Sequence, residues 1–283
     1  LHEEQAPTEQ GYVRAEDVPF TVEETGEIQK VEMKDDHTKV SISKTDITDG
    51  KEIQGAKLQI LDKDGKVIEE WTSGEEHLIE YLPTGEYTLH EEAAVDGYVV
   101  ANDVTFTVQE TGEIQKVEMK DERVMGVLKI HKTDGETGDN LEGVEFTLYE
   151  KESGKEVTSL VTDKDGNAET EQLPIGVYEN GAFKESTVYV LIETKALDGY
   201  QESKEEWEIT FEYKDDQTPV IEVLKEIQNE KAPVVTTDIP QTGDDTNWLL
   251  PVMGLLAGGA GLAVILMLHK KNAGRVLRRR RRM

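Results

Sequence analysis

The run VSISKTD (40–46) alternates like a β-strand and places Val40, Ile42 and Lys44 on one face, with Ser41, Ser43 and Thr45 on the other. The same anomaly recurs in VLKIHKTD (127–134), where Lys132 follows Leu128 and Ile130. Carboxyl groups behave likewise: Tyr87 and Leu89 share a face with Glu91, and Tyr189 and Leu191 share one with Glu193. Val117 and Met119 lead to Asp121. Ile221, Val223 and Ile227 point as Asn229 does, although Lys225 interrupts that face. Isolated ions in an apolar interior are very costly, so groups buried there move toward their neutral forms. A neutral amine is a nucleophile, and a protonated carboxyl beside it can donate to a carbonyl and shuttle protons. Held against the side-chain carbonyl of Asp or Asn, the amine can form an amide, expelling water or ammonia. Fixed geometry supplies effective molarities of about 10⁵–10⁸ M, enough to couple so unreactive a pair. The alternative is a buried salt bridge, or charges at strand ends that reach solvent. A single lysine favours that alternative; three matched positions in two segments favour the bond.

The elements that must position these groups are short strands punctuated by turns. AKLQILDKDGKVIEEW and VTSLVTDKDGNAETEQL each set Asp-Gly between strand-like runs, which predicts two β-hairpins. LPTGEYTL and LPIGVY read as Pro/Gly corners. No stretch before residue 246 sustains a helical period. Residues 11–36 match 97–122 at 21 of 26 positions, and LHEE stands at both 1–4 and 89–92. A diverged unit runs over about 123–231, with VLIETKALDGY in the place of TLHEEAAVDGY. Spacings this long indicate tandem domains rather than solenoid repeats. The expected fold is all-β: tandem antiparallel β-sandwiches, immunoglobulin-like or prealbumin-like. Residues 1–36 form a truncated repeat that keeps Glu3 and Asp35, lacks the lysine strand and is expected to be poorly ordered. The chain reads as the C-terminal part of a longer repetitive protein, without its signal peptide.

The chain has 283 residues, a formal net charge of -29, 36% hydrophobic residues and no cysteine. That excludes disulfide staples and cysteine-based metal or nucleophile sites, and argues against nucleic acid as a partner. The histidines show no ligand spacing, so neither metal nor cofactor is expected. DKDGNAE (163–169) resembles part of a calcium loop but lacks the flanking helices and the distal Glu, which favours a plain turn.

The units at 37–122 and 123–231 resemble Cna protein B-type, or SpaA-like, domains of Gram-positive surface proteins and pilins. The resemblance is carried by SKTDITDGKEIQGAKLQIL with YTLHEEAAVDGY, and by HKTDGETGDNLEGVEFTLYE with YVLIETKALDGY. Glu92 and Val95 depart from the usual Thr and Pro. The resemblance implies that Lys44 joins Asp121 with Glu91 as general acid/base. It likewise implies that Lys132 joins Asn229 with Glu193 assisting. The chemistry is a single autocatalytic turnover, so no turnover enzyme is expected.

After a linker (232–247) come an apolar run, WLLPVMGLLAGGAGLAVILML (248–268), and a basic tail (269–283). Twenty-one residues suffice for one transmembrane helix, with the arginines on the cytoplasmic side. Just before the span, Ile239, Pro240, Gln241, Thr242 and Gly243 resemble an LPxTG-type sorting signal, with Ile in place of Leu. That implies sortase as a partner, cleavage between Thr242 and Gly243, and transfer of Thr242 to peptidoglycan or a pilin lysine. The expected protein is a cell-wall-anchored stalk of an adhesin or pilus, secreted and spanning the membrane only before processing. A host-matrix ligand would then engage upstream sequence. Two alternatives are a polymerising pilin, although no Tyr-Pro-Lys motif is present, and repeats that themselves bind a host matrix ligand.

Overall fold

The computed structural model describes residues 1–234. Two β-sandwiches follow one another. In the first, one sheet orders His77–Glu80, Lys39–Asp46, Ile114–Arg123 and Tyr98–Val99. The facing sheet orders Val67–Thr72, Lys57–Asp62, Gly85–Ala93 and Val104–Val108. In the second sandwich, Met125–Asp134 pairs with Asn167–Glu169, Leu173–Pro174 and Val220–Asn229. It is faced by Glu156–Val161, Glu145–Glu150, Val188–Lys195 and Glu206–Thr210. A small hairpin, Gly176–Glu179 with Ala182–Ser186, is added beside it.

Alternation decides what each face buries. Val40, Ile42, Leu58, Ile60, Leu89 and Met119 fill the first core; Leu128, Ile130, Phe146, Leu148, Leu191 and Ile227 fill the second. At roughly 25 cal/mol per Å² of apolar surface removed from water, these clusters are the main source of stability.

The sheets are antiparallel as expected, with one exception in each unit. The first and last strands pair in parallel, Lys39–Asp46 with Ile114–Arg123 and Met125–Asp134 with Val220–Asn229. Alternation fixes the face a side chain takes but not the direction of the neighbouring strand. A parallel pair also needs a long crossover, and here the whole sandwich supplies it.

One predicted hairpin forms, Lys57–Asp62 with Val67–Thr72. The other does not. Glu156–Val161 pairs with Glu145–Glu150, whereas Asn167–Glu169 pairs with Met125–Asp134. Asp-Gly encodes a local reversal; here that reversal carries the chain from one sheet to the other. Asp163 Oδ1 accepts the backbone N–H groups of Asp165 and Asn167, both at 2.9 Å, so this segment is a capped turn.

Residues 1–36 hold a short 3₁₀ turn at Thr8–Gln10 and pair Tyr12–Val13 with Asp36–His37. Between these pieces the chain forms no strand, although its sequence nearly repeats that of 97–122. Val22 is 77% exposed where its counterpart Val108 is 2% exposed. The same residues meet different fates because only the later copy has a complete facing sheet.

Candidate functional site

Each sandwich brings its three anomalous polar residues together between the sheets. In the first, Lys44 lies opposite Met119 in the parallel register, and Asp121 follows two residues on, on the same face. Glu91 arrives from the other sheet, opposite Leu58. All three are at most 2% exposed. Lys44 Nζ contacts Asp121 Oδ1 directly and stands 2.9 Å from Glu91 Oε2. The Ala101 N–H donates to Glu91 Oε2 at 2.6 Å, which fixes that carboxyl against the lysine. Glu91 Oε1 and Asp121 Oδ2 have no hydrogen-bond partner. Burial pushes Asp121 up to about 7; the Lys44 charge opposes this and the Glu91 charge adds to it.

The second sandwich repeats the register, with Lys132 opposite Ile227 and Asn229 two residues on. Glu193 comes from the facing sheet, opposite Phe146. Lys132, Glu193 and Asn229 are all buried. The half-buried Lys225 that interrupts the alternation lies further back along the same strand, so the end of that face that carries Asn229 is intact. Contacts differ, however. Asn229 Nδ2 donates to Glu193 Oε1 at 2.6 Å, while Lys132 Nζ donates to the Ile227 carbonyl at 3.5 Å. Glu193 Oε2 and Asn229 Oδ1 have no partner. Burial lowers Lys132 to about 8, against the pull of the Glu193 and Asp134 charges.

Both triads therefore combine a desolvated amine, a carboxyl held by a donor, and a side-chain carbonyl carbon, all sealed from water. In the first, burial moves Asp121 toward its neutral acid form in direct contact with the Lys44 nitrogen. In the second, a neutral amine is already accessible near neutral pH.

A second buried pair escaped the reading of alternation. Asp46 accepts from the Tyr98 hydroxyl at 2.8 Å and from Arg123 Nε at 2.6 Å. Asp134 accepts from the Tyr200 hydroxyl at 2.7 Å, and Lys231 Nζ stands 3.3 Å away. The Tyr200 hydroxyl, helped by the Glu136 and Thr137 N–H groups, holds Asp134 well below the usual carboxylate range. The available signal was the recurrence of Lys-Thr-Asp and Asp-Gly-Tyr in both units.

In the truncated copy, Glu3 Oε2 accepts the Ala15 N–H at 2.7 Å, as Glu91 accepts that of Ala101. Asp35 is exposed. Ile239 to Gly243 and the apolar run 248–268 lie outside the described residues. Among the described residues no helix is long and apolar enough to cross a membrane, and no group of His, Cys, Asp and Glu is placed to hold a metal ion.

The prealbumin-like fold defines the class. Residues 38–123 and 126–227 both match the SpaA prealbumin-like fold domain, and the chain belongs to that family. Among solved structures it is similar to the Bacillus anthracis TIE protein, at 33% identity and a TM-score of 0.52 over 81% of this chain and 40% of that one. A streptococcal ancillary pilin aligns at 21% identity and a TM-score of 0.31, over 78% of this chain and 71% of the pilin. The minor pilin GBS52 of Streptococcus agalactiae aligns at 19% and 0.31, over 74% of this chain and all (100%) of that one. No curated protein sequence matches the chain.

Proposed function

We propose that each sandwich closes one intramolecular amide, Lys44 to Asp121 and Lys132 to Asn229, and that the chain is the covalently hardened stalk of a cell-wall-anchored surface protein. The observation that supports this most is the burial of amine, carboxyl and acceptor at the same register in both units. In the first, neutral Lys44 Nζ attacks Asp121 Cγ while Glu91 takes up the amine proton. Glu91 then returns that proton to the departing hydroxyl, and water leaves. In the second, Lys132 attacks Asn229 Cγ, Glu193 relays the proton to the amide nitrogen, and ammonia leaves.

The bonds would tie residues 77 and 97 positions apart in sequence. By the loop-entropy argument used for disulfides, each destabilises the unfolded chain by roughly 4–5 kcal/mol. They replace the missing disulfides with cross-links indifferent to redox conditions. At the C-terminal side, the sequence Ile239-Pro240-Gln241-Thr242-Gly243 supports transfer of the Thr242 carbonyl by sortase to a peptidoglycan amine, with 248–268 holding the precursor in the membrane. Intact mass of the 283-residue chain tests the chemistry: it falls below the sequence value by one water and one ammonia. Lys44→Ala restores only the water and Glu193→Ala only the ammonia. A mass equal to the sequence value refutes the proposal.

A further inference from the structure

The same small assembly closes each repeat. A glycine carbonyl accepts the N–H of the residue after an arginine, histidine or lysine, and the tyrosine after that glycine pairs across to that basic residue. Gly97 accepts from Val124 at 2.8 Å, and Tyr98 pairs with Arg123. Gly11 accepts from Thr38 at 2.9 Å, and Tyr12 pairs with His37. Gly199 accepts from Ala232 at 2.8 Å, and Tyr200 pairs with Lys231.

At the first two assemblies an aromatic ring of the following unit is seated. The ring of Tyr178 lies 4.2 Å from Arg123 Cζ and meets Tyr98 edge-on at 5.2 Å. Its hydroxyl donates to the Gly97 carbonyl at 2.7 Å. Tyr81 stacks on His37 at 4.0 Å and meets Tyr12 edge-on at 5.4 Å. A Cβ on Gly97 would lie 2.9 Å from Phe183 and from the Tyr178 hydroxyl; one on Gly11 would lie 2.3 Å from the Tyr81 backbone. A Cβ on Gly199 would meet nothing within 4 Å.

Delivering these rings requires unusual backbone. Tyr81 (φ 61°) and Asn180 (φ 51°) are the only non-glycine residues with positive φ among those described. A bulky residue in that region is strained, and such strain persists where surrounding contacts enforce it. Asn180-Gly181 is the tight turn of the hairpin that carries Tyr178, and the hairpin is an insertion: LPIGVYENGAFKESTVYVL stands where the first unit has LPTGEYTL.

We propose that the assembly of glycine, tyrosine and basic side chain is a docking socket by which each module fixes the orientation of the next, with an aromatic side chain of the following module as its plug. At Tyr178 a cation–π contact with Arg123, an edge-on pair with Tyr98 and the hydroxyl bond to the Gly97 carbonyl hold the plug; at Tyr81 the stack on His37 and the edge-on pair with Tyr12 do so. The backbone N–H of Val100 donating to Asp216 at 2.9 Å extends the same junction. This inference is independent of the amide bonds, since none of the socket residues takes part in them.

The two glycines provide a matched test, because φ is 86° at Gly97 and 87° at Gly199, so alanine strains the backbone equally at both. With no native cysteine, Glu70→Cys and Glu156→Cys place one spin label on each sandwich of the full chain in detergent. Pulsed electron–electron resonance should give a single narrow distance. Gly97→Ala should widen it about twofold, toward the free motion expected of domains without a firm interface. Tyr178→Ala, which adds no strain, should widen it equally, and Gly199→Ala should leave it unchanged. A broad distribution in the parent chain, or a narrow one in Tyr178→Ala, overturns the socket.

Discussion

The two interior triads share a lysine, a glutamate and a register, and differ by one functional group at the acceptor. Where the acceptor is Asp121, the lysine nitrogen is drawn onto it and also reaches Glu91. Where it is Asn229, the amide turns its own N–H groups toward Glu193, and the lysine nitrogen finds only a backbone carbonyl. Desolvation then acts on different partners. It raises the acid at the first site, to about 7, and lowers the amine at the second, to about 8. The same kind of interior thus shifts the acceptor carboxyl at one site, despite its contact with Lys44, and the amine at the other, where Lys132 donates only to a backbone carbonyl.

The largest effect that would sharpen this comparison is expected from Lys44→Met. It removes the proposed bond, worth roughly 4–5 kcal/mol, and leaves Glu91 and Asp121 buried without a cation. Thermal unfolding should show the first sandwich melting well below the second. Equal melting of both would break the comparison.

A smaller effect should appear in Asn229→Ala, which keeps Lys132 unreacted. Its folded pKa, about 8, lies below the ordinary 10.5, so between those values the folded state binds fewer protons than the unfolded one. Stability therefore rises with pH across that window, by on the order of 2 kcal/mol. Melting temperatures of variant and parent, followed from pH 7.5 upward, should converge as the amine neutralises. A gap that does not narrow would remove the buried-amine argument.

The smallest expected difference is none at all. Asn229→Asp changes the leaving group from ammonia to water, yet the amide left behind is the same, so mature mass and melting temperature should equal those of the parent. A mass difference would show that the acceptor's identity decides whether the second bond forms.

Much of both sites was legible because strand alternation assigns faces without knowledge of topology. Lys44, Glu91 and Asp121 were each anomalous on their own short run, and packing the two sheets made those anomalies meet. Lys225 interrupts the face of Asn229, and the parallel register sets it opposite Ile130, away from the end where Lys132, Glu193 and Asn229 gather. What alternation could not convey was direction and partner. It left the parallel pairing of first and last strands unread, and it took VTSLVTDKDGNAE for a hairpin when its halves serve different sheets. Nor could identity of sequence ensure identity of structure. PFTV at 19–22 remains unpaired where TFTV at 105–108 is a strand, because folding of that segment depends on a neighbouring sheet.

The parallel pairing of opening and closing strands has a geometric outcome. The polypeptide enters each module at one end and departs from the opposite end, so successive modules extend in series rather than doubling back. Tension applied between the two ends of a module then slides those two strands along one another instead of peeling them apart. The amide proposed between Lys44 and Asp121 would leave the 77-position interval between them without slack, withholding about 250 Å of extensible chain in that module.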